Sequence, residues 1–409
     1  MTSRAAALLL LLAASLAACK SEVVCTSDQV TCDGQCISLA SDPANCGACG
    51  LACATGETCS GSQCCSGSQC SAAVYAACFN GNSVRGATGA LAAVGAPVPV
   101  ETGPISLAWR GDALWVATSL SSTVDPMVLS SAGLVPDPVL PIIPIPFPGS
   151  SGDLEFLAEW NGLLYASNAL VGSLVILDPT ARPPIVGEVP LGSFSFPQGI
   201  AFHGTKAYVA LNGSNAVAVV DLSARVIAKT IDLSALSSPG KVALPSRMTV
   251  VGDRVYVALW NLDPAYSHPG NGRLAVIDAA TDALVPSVNP VDLGGSCLNP
   301  AGIAAVGSTL WVTCGFFPYT ATSAADITGA AFVPVDVSGA VPVVGAAAPA
   351  TLAAPGAITF CNGVGFAADR FSGNVLRFDA ATRAVTSRGL VCPPSGTGSS
   401  FVADVICGR

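Results

Sequence analysis

Short apolar runs alternate with turn residues through most of this chain. The segment PQGIAFHGTKAYVALNGSNAVAVVD shows the pattern: one run ends at Phe202, a second spans Ala207–Leu211 and a third spans Ala216–Val220. Turn residues rich in Gly and Asn separate these runs, and a fourth run follows at Val226–Ile231. Short apolar runs bounded by turn residues are typical of antiparallel strands. The pattern therefore predicts a four-stranded meander.

The same unit recurs along the chain. An aromatic residue opens the second strand of each unit at Tyr75, Trp115, Tyr165, Tyr208, Tyr256, Trp311 and Phe366. The intervals between these residues, 40 to 55 positions, suit one four-stranded propeller blade each. Five units also close their third strand with an aspartate: Asp178, Asp221, Asp278, Asp336 and Asp379.

The first and last units are each incomplete. Tyr75 begins a second strand with no first strand before it, and SSFVADVICG at residues 399–408 reads as a first strand with nothing after it. Pairing the two would complete a seventh blade and remove the exposed edge of an open sheet. The sequence predicts an all-β fold, a seven-bladed β-propeller closed by pairing of the chain ends.

Units such as PQGIAFHGTKAYVALNGSNAVAVVDLSARVIAKTIDL and VGDRVYVALWN resemble the YVTN-type propeller repeats of bacterial surface proteins, relatives of the NHL propellers. The likeness covers nearly all of residues 71–409. It implies the propeller fold and leaves activity open, because this fold hosts many functions.

Six thinly spread cysteines test the blade alignment. Cys78 and Cys314 fall at the end of a second strand, and Cys392 and Cys297 fall in connections between blades on the same face. Cys361 and Cys407 align with each other at the opposite face of neighbouring blades. We expect the pairs Cys78–Cys392, Cys297–Cys314 and Cys361–Cys407, two of which would hold the chain ends together.

The N-terminal segment carries an export pattern. Ala5–Ala18 is apolar, follows one basic residue and is too short to span a bilayer, as expected for the core of a secretory signal. Leu16-Ala17-Ala18-Cys19 resembles the bacterial lipoprotein signal, in which cleavage precedes a cysteine that becomes lipidated. The alternative is an ordinary signal that is cleaved nearby. Because Lys20 rather than aspartate follows, an outer-membrane lipoprotein of the cell envelope is favoured, with a signal at 1–18 and a lipid-anchored tether at 19–24.

Ten cysteines crowd residues 25–70. So short and polar a segment cannot bury enough apolar surface to fold alone, so five disulfides are expected. Cys46-Gly47-Ala48-Cys49 leaves metal or redox chemistry as an alternative. The sequence around Asp42–Gly50 resembles the cysteine-rich module of the stigma-specific family, which implies a spacer or adhesive module. With Cys19 set aside, ten and six cysteines remain, and both numbers are even.

The net charge and the loop lengths indicate which class of partner the chain binds. The net charge of −9 argues against a nucleic-acid partner, which would require a basic stripe. Two lengthened loops, at 261–272 and 315–329, and the Pro-rich connection at 136–148 are expected on one face. Loops on a rigid scaffold often carry recognition. The predicted binding residues are Trp260, Tyr266, His268, Phe316, Phe317 and Tyr319, for a protein, peptide or glycan ligand outside the cell. The alternative is that these aromatic rings fold back into their own loops.

An enzyme is the competing hypothesis. The nearest enzyme relatives by fold are calcium-dependent lactonases and hydrolases, whose central channel is lined by carboxylates and amides. Glu155, Arg247 and Asn299 are the channel residues that would carry such a reaction here, with Gln198 nearby. A single carboxylate beside a guanidinium is a poor ligand set for Ca²⁺, which prefers several oxygen ligands. No cofactor and no metal site is therefore expected under the first hypothesis, and Ca²⁺ only under this one.

Overall fold

The computed structural model describes residues 25, 29–39, 41–46, 49–53, 55, 57–60, 63–66, 69–70, 72–130, 133–146, 153–394 and 401–408. The predictions for the signal, for Cys19 and for the tether lie outside these residues. Within them, no helix is long and apolar enough to cross a membrane. Helical structure in the described part consists of 3-10 turns at Asn212–Ser214, Ser234–Leu236 and Ala324–Asp326.

The cysteine-rich segment forms two small antiparallel sheets. Its strands are β1 (Val30–Cys32), β2 (Gln35–Ile37), β3 (Glu57–Ser60), β4 (Gln63–Ser66) and β5 (Gln69–Cys70). Its described disulfides are Cys25–Cys36, Cys32–Cys49 and Cys46–Cys59, and Cys53 is also disulfide-bonded. Because Cys46 and Cys49 each pair with a different distant cysteine, the metal or redox alternative for this C-x-x-C is wrong.

The rest of the chain forms seven antiparallel sheets, the blades of a propeller. Blade 1 contains β6 (Val74–Cys78), β7 (Ser83–Ala87) and β8 (Ala93–Pro99). Blade 2 contains β9 (Pro104–Arg110), β10 (Ala113–Thr118), β11 (Thr123–Ser130), β12 (Gly133–Pro136) and β13 (Ile143–Pro144). Blade 3 contains β14 (Leu154–Trp160), β15 (Leu163–Asn168), β16 (Ser173–Leu177) and β17 (Ile185–Pro190). Blade 4 contains β18 (Pro197–His203), β19 (Lys206–Leu211), β20 (Ala216–Asp221) and β21 (Val226–Asp232).

The remaining blades continue the series. Blade 5 contains β22 (Pro245–Val251), β23 (Arg254–Leu259), β24 (Arg273–Asp278), β25 (Ala283–Leu284) and β26 (Val291–Asp292). Blade 6 contains β27 (Pro300–Val306), β28 (Thr309–Phe316), β29 (Thr328–Asp336), β30 (Val343–Val344) and β31 (Ala348–Pro349). Blade 7 contains β32 (Pro355–Cys361), β33 (Val364–Asp369), β34 (Asn374–Asp379) and β35 (Ala384–Leu390).

The last strand, β36 (Val402–Cys407), completes blade 1 by pairing with β6. The fold prediction, including closure by the two chain ends, is therefore confirmed. The propeller disulfides are Cys78–Cys392, Cys297–Cys314 and Cys361–Cys407, the pairs that follow from the blade alignment. Disulfides persist in oxidising compartments, so these bonds indicate an extracytoplasmic protein.

The core lies between the blades. All seven of the recurring aromatic side chains are buried, and aliphatic residues of adjacent sheets pack around them. The five recurring aspartates have a local role, since each accepts hydrogen bonds from backbone N–H groups of the turn that follows it. Such turns favour Asp for this reason. These aspartates are therefore fold determinants.

Two faces follow from the strand order. The upper face carries the turns between second and third strands and the connections between blades. The lower face is the opposite one. The chain enters the propeller on the lower face at Ala73, and Gly408 N–H donates to the Ala73 carbonyl there (2.9 Å). Both ends of the propeller chain therefore lie on the lower face.

Candidate functional site

The inner strands line the central channel, and each begins at the upper face. In all seven blades the pairing of the inner strand is irregular near its upper end, at the position of Glu155 in blade 3 and Arg247 in blade 5. Such bulges re-aim side chains and are frequent beside functional sites. In blades 3 and 5 the irregular position is occupied by the charged residues Glu155 and Arg247.

Arg247 reaches across the channel mouth. Its Cζ lies 4.4 Å from the ring centroid of Phe156. Arg247 belongs to blade 5 and Phe156 to blade 3, so the side chain passes the whole of blade 4. Blade 4 leaves room for this because Gly199 stands between: a Cβ there would lie 2.7 Å from the Ser246 carbonyl oxygen and 3.0 Å from Arg247 Cα. Among the described residues, no ion pair within 4.0 Å involves Arg247. The guanidinium is a stacked cation at the centre of the mouth.

Two carboxyl groups, those of Asp404 and Glu155, interact with the charge of this cation. Asp404, on the closing strand β36, is buried and accepts hydrogen bonds from Ser106 Oγ (3.0 Å) and Leu107 N–H (2.9 Å). Burial raises its pKa, and the charge of Arg247 opposes that rise. Asp404 was not predicted from the sequence. The residues that face the channel were compared only in the six blades whose strands follow one another in the chain, and Asp404 lies on the strand that closes the seventh.

Glu155 and Asp153 form a carboxyl pair. Burial, the neighbouring charge of Asp153 and a hydrogen bond between the two carboxyl groups raise the pKa of Glu155 to about 8, against the opposing effects of Arg247 and Gln198. Burial also raises the pKa of Asp153, which accepts a hydrogen bond from Ser119 Oγ (3.0 Å). A carboxyl group that titrates near neutral pH can act as a general acid or base. Sequence reasoning found Glu155 and missed Asp153, two residues earlier.

Asn299 is not part of this cluster. It precedes β27 with a left-handed backbone (φ 52°), and its Oδ1 has no hydrogen-bond partner although the residue is 9% exposed. No hydrogen bond joins it to Glu155 or Arg247 within the described chain. The structure thus brings together two of the three predicted channel residues.

The predicted aromatic surface divides into exposed and buried residues. Tyr319 is fully exposed, and Tyr266 is half exposed on the loop between β23 and β24. Phe316 is buried against Leu244 and Leu262, so its placement on a binding surface is wrong. The reason is that β28 extends through Phe316, where the sequence suggested a loop from Gly315.

The other three predicted binding residues are intermediate cases. Trp260 is partly buried beside the cluster around Phe316. Phe317 packs edge-on against Phe371 at 5.4 Å, with Arg370 Cζ 5.5 Å from its ring centroid. His268 is exposed, and its Nδ1 lies 2.9 Å from Asp263 Oδ2.

Asp263 orders the loop that carries Tyr266. Its carboxylate accepts the Ser267 backbone N–H (2.7 Å), which is the main cause that lowers the pKa of Asp263 to about 2. The Tyr266 backbone N–H donates to the Asp263 carbonyl (2.9 Å), and Tyr266 has a left-handed backbone (φ 57°). The loop therefore presents the tyrosine ring outward from a fixed backbone.

Other exposed apolar side chains on the upper face were missed in the sequence. They are Leu120, Leu170, Phe194 and Leu352. Phe194 is 77% exposed, and Phe194 and Leu352 share the left-handed backbone of Tyr266. The available signal was an apolar residue in a turn or blade connection on the upper face. The Pro-rich segment, by contrast, was misplaced: residues 137–142 lie between two halves of the outer strand, at the rim of blade 2.

Comparison with known proteins supports the propeller fold but does not assign a family or an activity. No protein-family model and no curated protein matches this chain. A streptogramin B lyase structure is similar at a TM-score of 0.53 and 15% identity, covering 79% of this chain and 88% of that one. The hydrazine synthase of Kuenenia stuttgartiensis is similar at 0.52 and 16%, covering 68% and 76%. A chain of a mitotic checkpoint complex is similar at 0.53 and 15%, covering 72% and 83%. The resemblances to the YVTN-type and stigma-specific families stay predictions.

Proposed function

We propose that this chain is a lipoprotein of the bacterial cell envelope, anchored to the outer membrane through lipidated Cys19, whose propeller binds a protein, peptide or glycan with its upper face. The observation that carries the proposal is the set of bulky apolar side chains protruding from that face. Exposed aromatic side chains on a rigid scaffold are typical anchors for partners.

The distribution of these side chains is uneven. Six large apolar residues of the upper face are exposed: Leu120, Leu170, Phe194, Tyr266, Tyr319 and Leu352. Nine other large apolar residues of the described propeller are also exposed, but all nine are aliphatic, so the three exposed aromatic residues, Phe194, Tyr266 and Tyr319, all belong to the upper face. Aromatic side chains are the usual anchors of interfaces, so the position of all three exposed aromatic residues on one face favours a binding role there.

Backbone strain supports the same face. Phe194, Tyr266 and Leu352 have φ values of 59°, 57° and 55°, a region that bulky residues rarely adopt. Such strain persists where surrounding contacts over-determine it, and it clusters at functional sites. Asn or Gly would fit these positions better. Leu91 and Leu244 share this backbone but are buried, whereas the three upper-face side chains are exposed and gain less from packing within the fold.

The position of the anchor agrees with this orientation. Because the chain enters the propeller on the lower face, a tether that begins at Cys19 approaches from that side. The upper face is then the one turned away from the anchor. The disulfides support the oxidising compartment that an envelope lipoprotein occupies.

Site-specific photocrosslinking tests the proposal. A photoreactive phenylalanine analogue at Tyr319 is expected to crosslink a partner on intact cells, and one at the lower-face Val341 is not. In the triple variant Phe194→Asn, Tyr266→Asn and Tyr319→Asn the partner should be lost while the melting temperature stays equal or rises, because Asn relieves two left-handed positions. Equal crosslinking from the two faces, or capture unchanged in the triple variant, would contradict the proposal.

A second candidate, a hydrolase acting in the channel, is favoured by one observation. The carboxyl pair Glu155–Asp153 lies beside the stacked guanidinium of Arg247, so an acid–base group and a cation meet at one opening. Hydrolysis of a panel of lactones would test it. Activity that disappears in Glu155→Gln but survives in the upper-face triple variant would support the hydrolase, and absence of activity across the panel would count against it.

A further inference from the structure

Several buried polar groups in blades 2 and 3 have no hydrogen-bond partner. Ser122 Oγ, Ser173 Oγ and both side-chain atoms of Asn168 are unpaired, and Asn168 is only 1% exposed. Buried polar side chains are paired in the great majority of cases, and each exception requires an explanation. An amide with its oxygen and its nitrogen both unpaired is the strongest exception in this chain.

The strand register places Asn168 and Ser173 on the boundary with blade 2. Asn168 is paired with Leu154 in β14 and with Ser173 in β16, so the three side chains share one side of the sheet. Leu154 packs in the cluster that contains Trp115 of blade 2, which fixes that side as the one facing blade 2. Ser122 belongs to the upper turn of blade 2, next to β11.

A carboxyl group enters the same boundary. Asp153 precedes Leu154 and accepts a hydrogen bond from Ser119 Oγ of blade 2 (3.0 Å), so its side chain also points toward blade 2. The Ala169 backbone N–H donates to the Asp153 carbonyl (2.8 Å), which holds Asp153 beside Asn168. Asp153 also contacts the carboxyl group of Glu155. The boundary thus combines a carboxylate, an amide oxygen and serine hydroxyls.

This chemistry suits a hard cation. Ca²⁺ takes six to eight oxygen ligands from carboxylates, amides, carbonyls and water, with tolerant geometry. Asp153 and Glu155 supply two carboxyl groups at this point, and Arg247, whose charge acts on Glu155, forms no ion pair with either one in the described structure. Without an ion, the two carboxyl groups share a proton and buried water satisfies the amide and hydroxyl groups; calcium would displace both.

We propose that the boundary of blades 2 and 3 binds one calcium ion through Asp153, the Asn168 side-chain oxygen and the surrounding serine hydroxyls, with Glu155 at the edge of the site. The ion links the two blades at the upper end of the ring. The described residues contain no group of three or more His, Cys, Asp and Glu side chains that would form a metal site, because amide and hydroxyl groups supply most ligands here. The site is independent of the aromatic residues of the upper face.

Direct binding to the full mature chain is the first test. After treatment with EDTA and its removal, terbium is added, and its luminescence sensitised by tryptophan is followed while calcium is titrated back. Terbium emission that calcium displaces with one site per chain supports the proposal. Its absence in the wild-type protein overturns the proposal, and buried water then fills the boundary.

Thermal melting locates the ion. Calcium at 1 mM is expected to raise the melting temperature by about 3 °C or more over EDTA, and magnesium or sodium by less. Asp153→Asn and Asn168→Ala should lose the shift and the terbium signal, whereas Asp112→Asn, an exposed carboxylate of blade 2, should keep both. An equal shift in Asp153→Asn and wild type, or an equal response to magnesium, would overturn the assignment.

Discussion

Replacing Glu155 with Gln should remove a pH-dependent loss of stability. In the folded protein the pKa of Glu155 is raised from 4.5 to about 8, chiefly by burial. Between these values the folded state keeps a proton that the unfolded state releases. The free energy of unfolding therefore falls as the pH rises from about 4.5 to about 8, and it levels off above that. Gln does not titrate, so the variant lacks this term.

The expected size follows from the shift. At about 1.4 kcal/mol per pKa unit, the full change from 4.5 to about 8 is about 5 kcal/mol. Glu155 keeps some contact with solvent in the channel and shares its hydrogen bond with Asp153, so a part of this amount is expected. Relative to Glu155→Gln, the wild-type protein should lose about 2 to 3 kcal/mol between pH 5 and pH 8.

Guanidinium chloride unfolding at several pH values between 5 and 9 measures the difference, with disulfides intact and EDTA present so that no cation perturbs the carboxyl pair. Glu188→Gln is the matched control, since Glu188 is an exposed glutamate of the same blade. The control should follow the wild-type pH profile. A difference between Glu155→Gln and wild type that is constant from pH 5 to pH 8 would refute the reasoning.

Three further outcomes are expected. Replacing Cys78 and Cys392, which are 314 residues apart, with Ser should lower the free energy of unfolding by about 5 kcal/mol. The same change at Cys297–Cys314, which closes 17 residues, should lower it by about 3 kcal/mol. Equal losses in chemical unfolding would contradict the chain-entropy argument. Phe316→Ala should lower the free energy of unfolding by about 3 kcal/mol because it leaves a cavity in a buried cluster. Tyr319→Ala, at an exposed side chain, should change it by less than about 0.5 kcal/mol. The reverse order would show that the burial of these two residues is misassigned. Cys19→Ser should abolish labelling with a palmitate analogue and release the protein from the membrane fraction; retention of both would exclude lipidation.

The sequence was sufficient for the architecture because the blade is a local unit. Tyr208 and its six counterparts mark one strand per blade, and each is buried against an adjacent sheet. The same alignment led to the closing strand and to disulfides such as Cys361–Cys407, since equivalent positions in a ring lie at predictable heights. Because the same unit repeats, contacts between residues far apart in the chain could be predicted from the alignment of neighbouring blades.

The site depends on contacts that no single repeat encodes. Glu155 is perturbed by Arg247 from two blades away, which required Gly199 to leave the intervening space open. Phe316 was assigned to a loop because Gly315 resembles a turn residue, but the strand pairing continues past it to Thr328. Backbone conformation at positive φ, as at Phe194, has no signal when the residue is bulky.

The closing blade also determines how the ring bears a mechanical load. A pull on the N-terminal module acts downward along β6, whose hydrogen bonds to β7 and β36 are perpendicular to the strand and are therefore loaded together in shear. The upper end of β6 is tied covalently to blade 7 through Cys78–Cys392, so β6 cannot slide out without breaking a covalent bond. A force applied between the upper face and the N-terminal segment is therefore resisted by two strand pairings in shear and by one covalent bond, so the joint resists tension instead of unzipping.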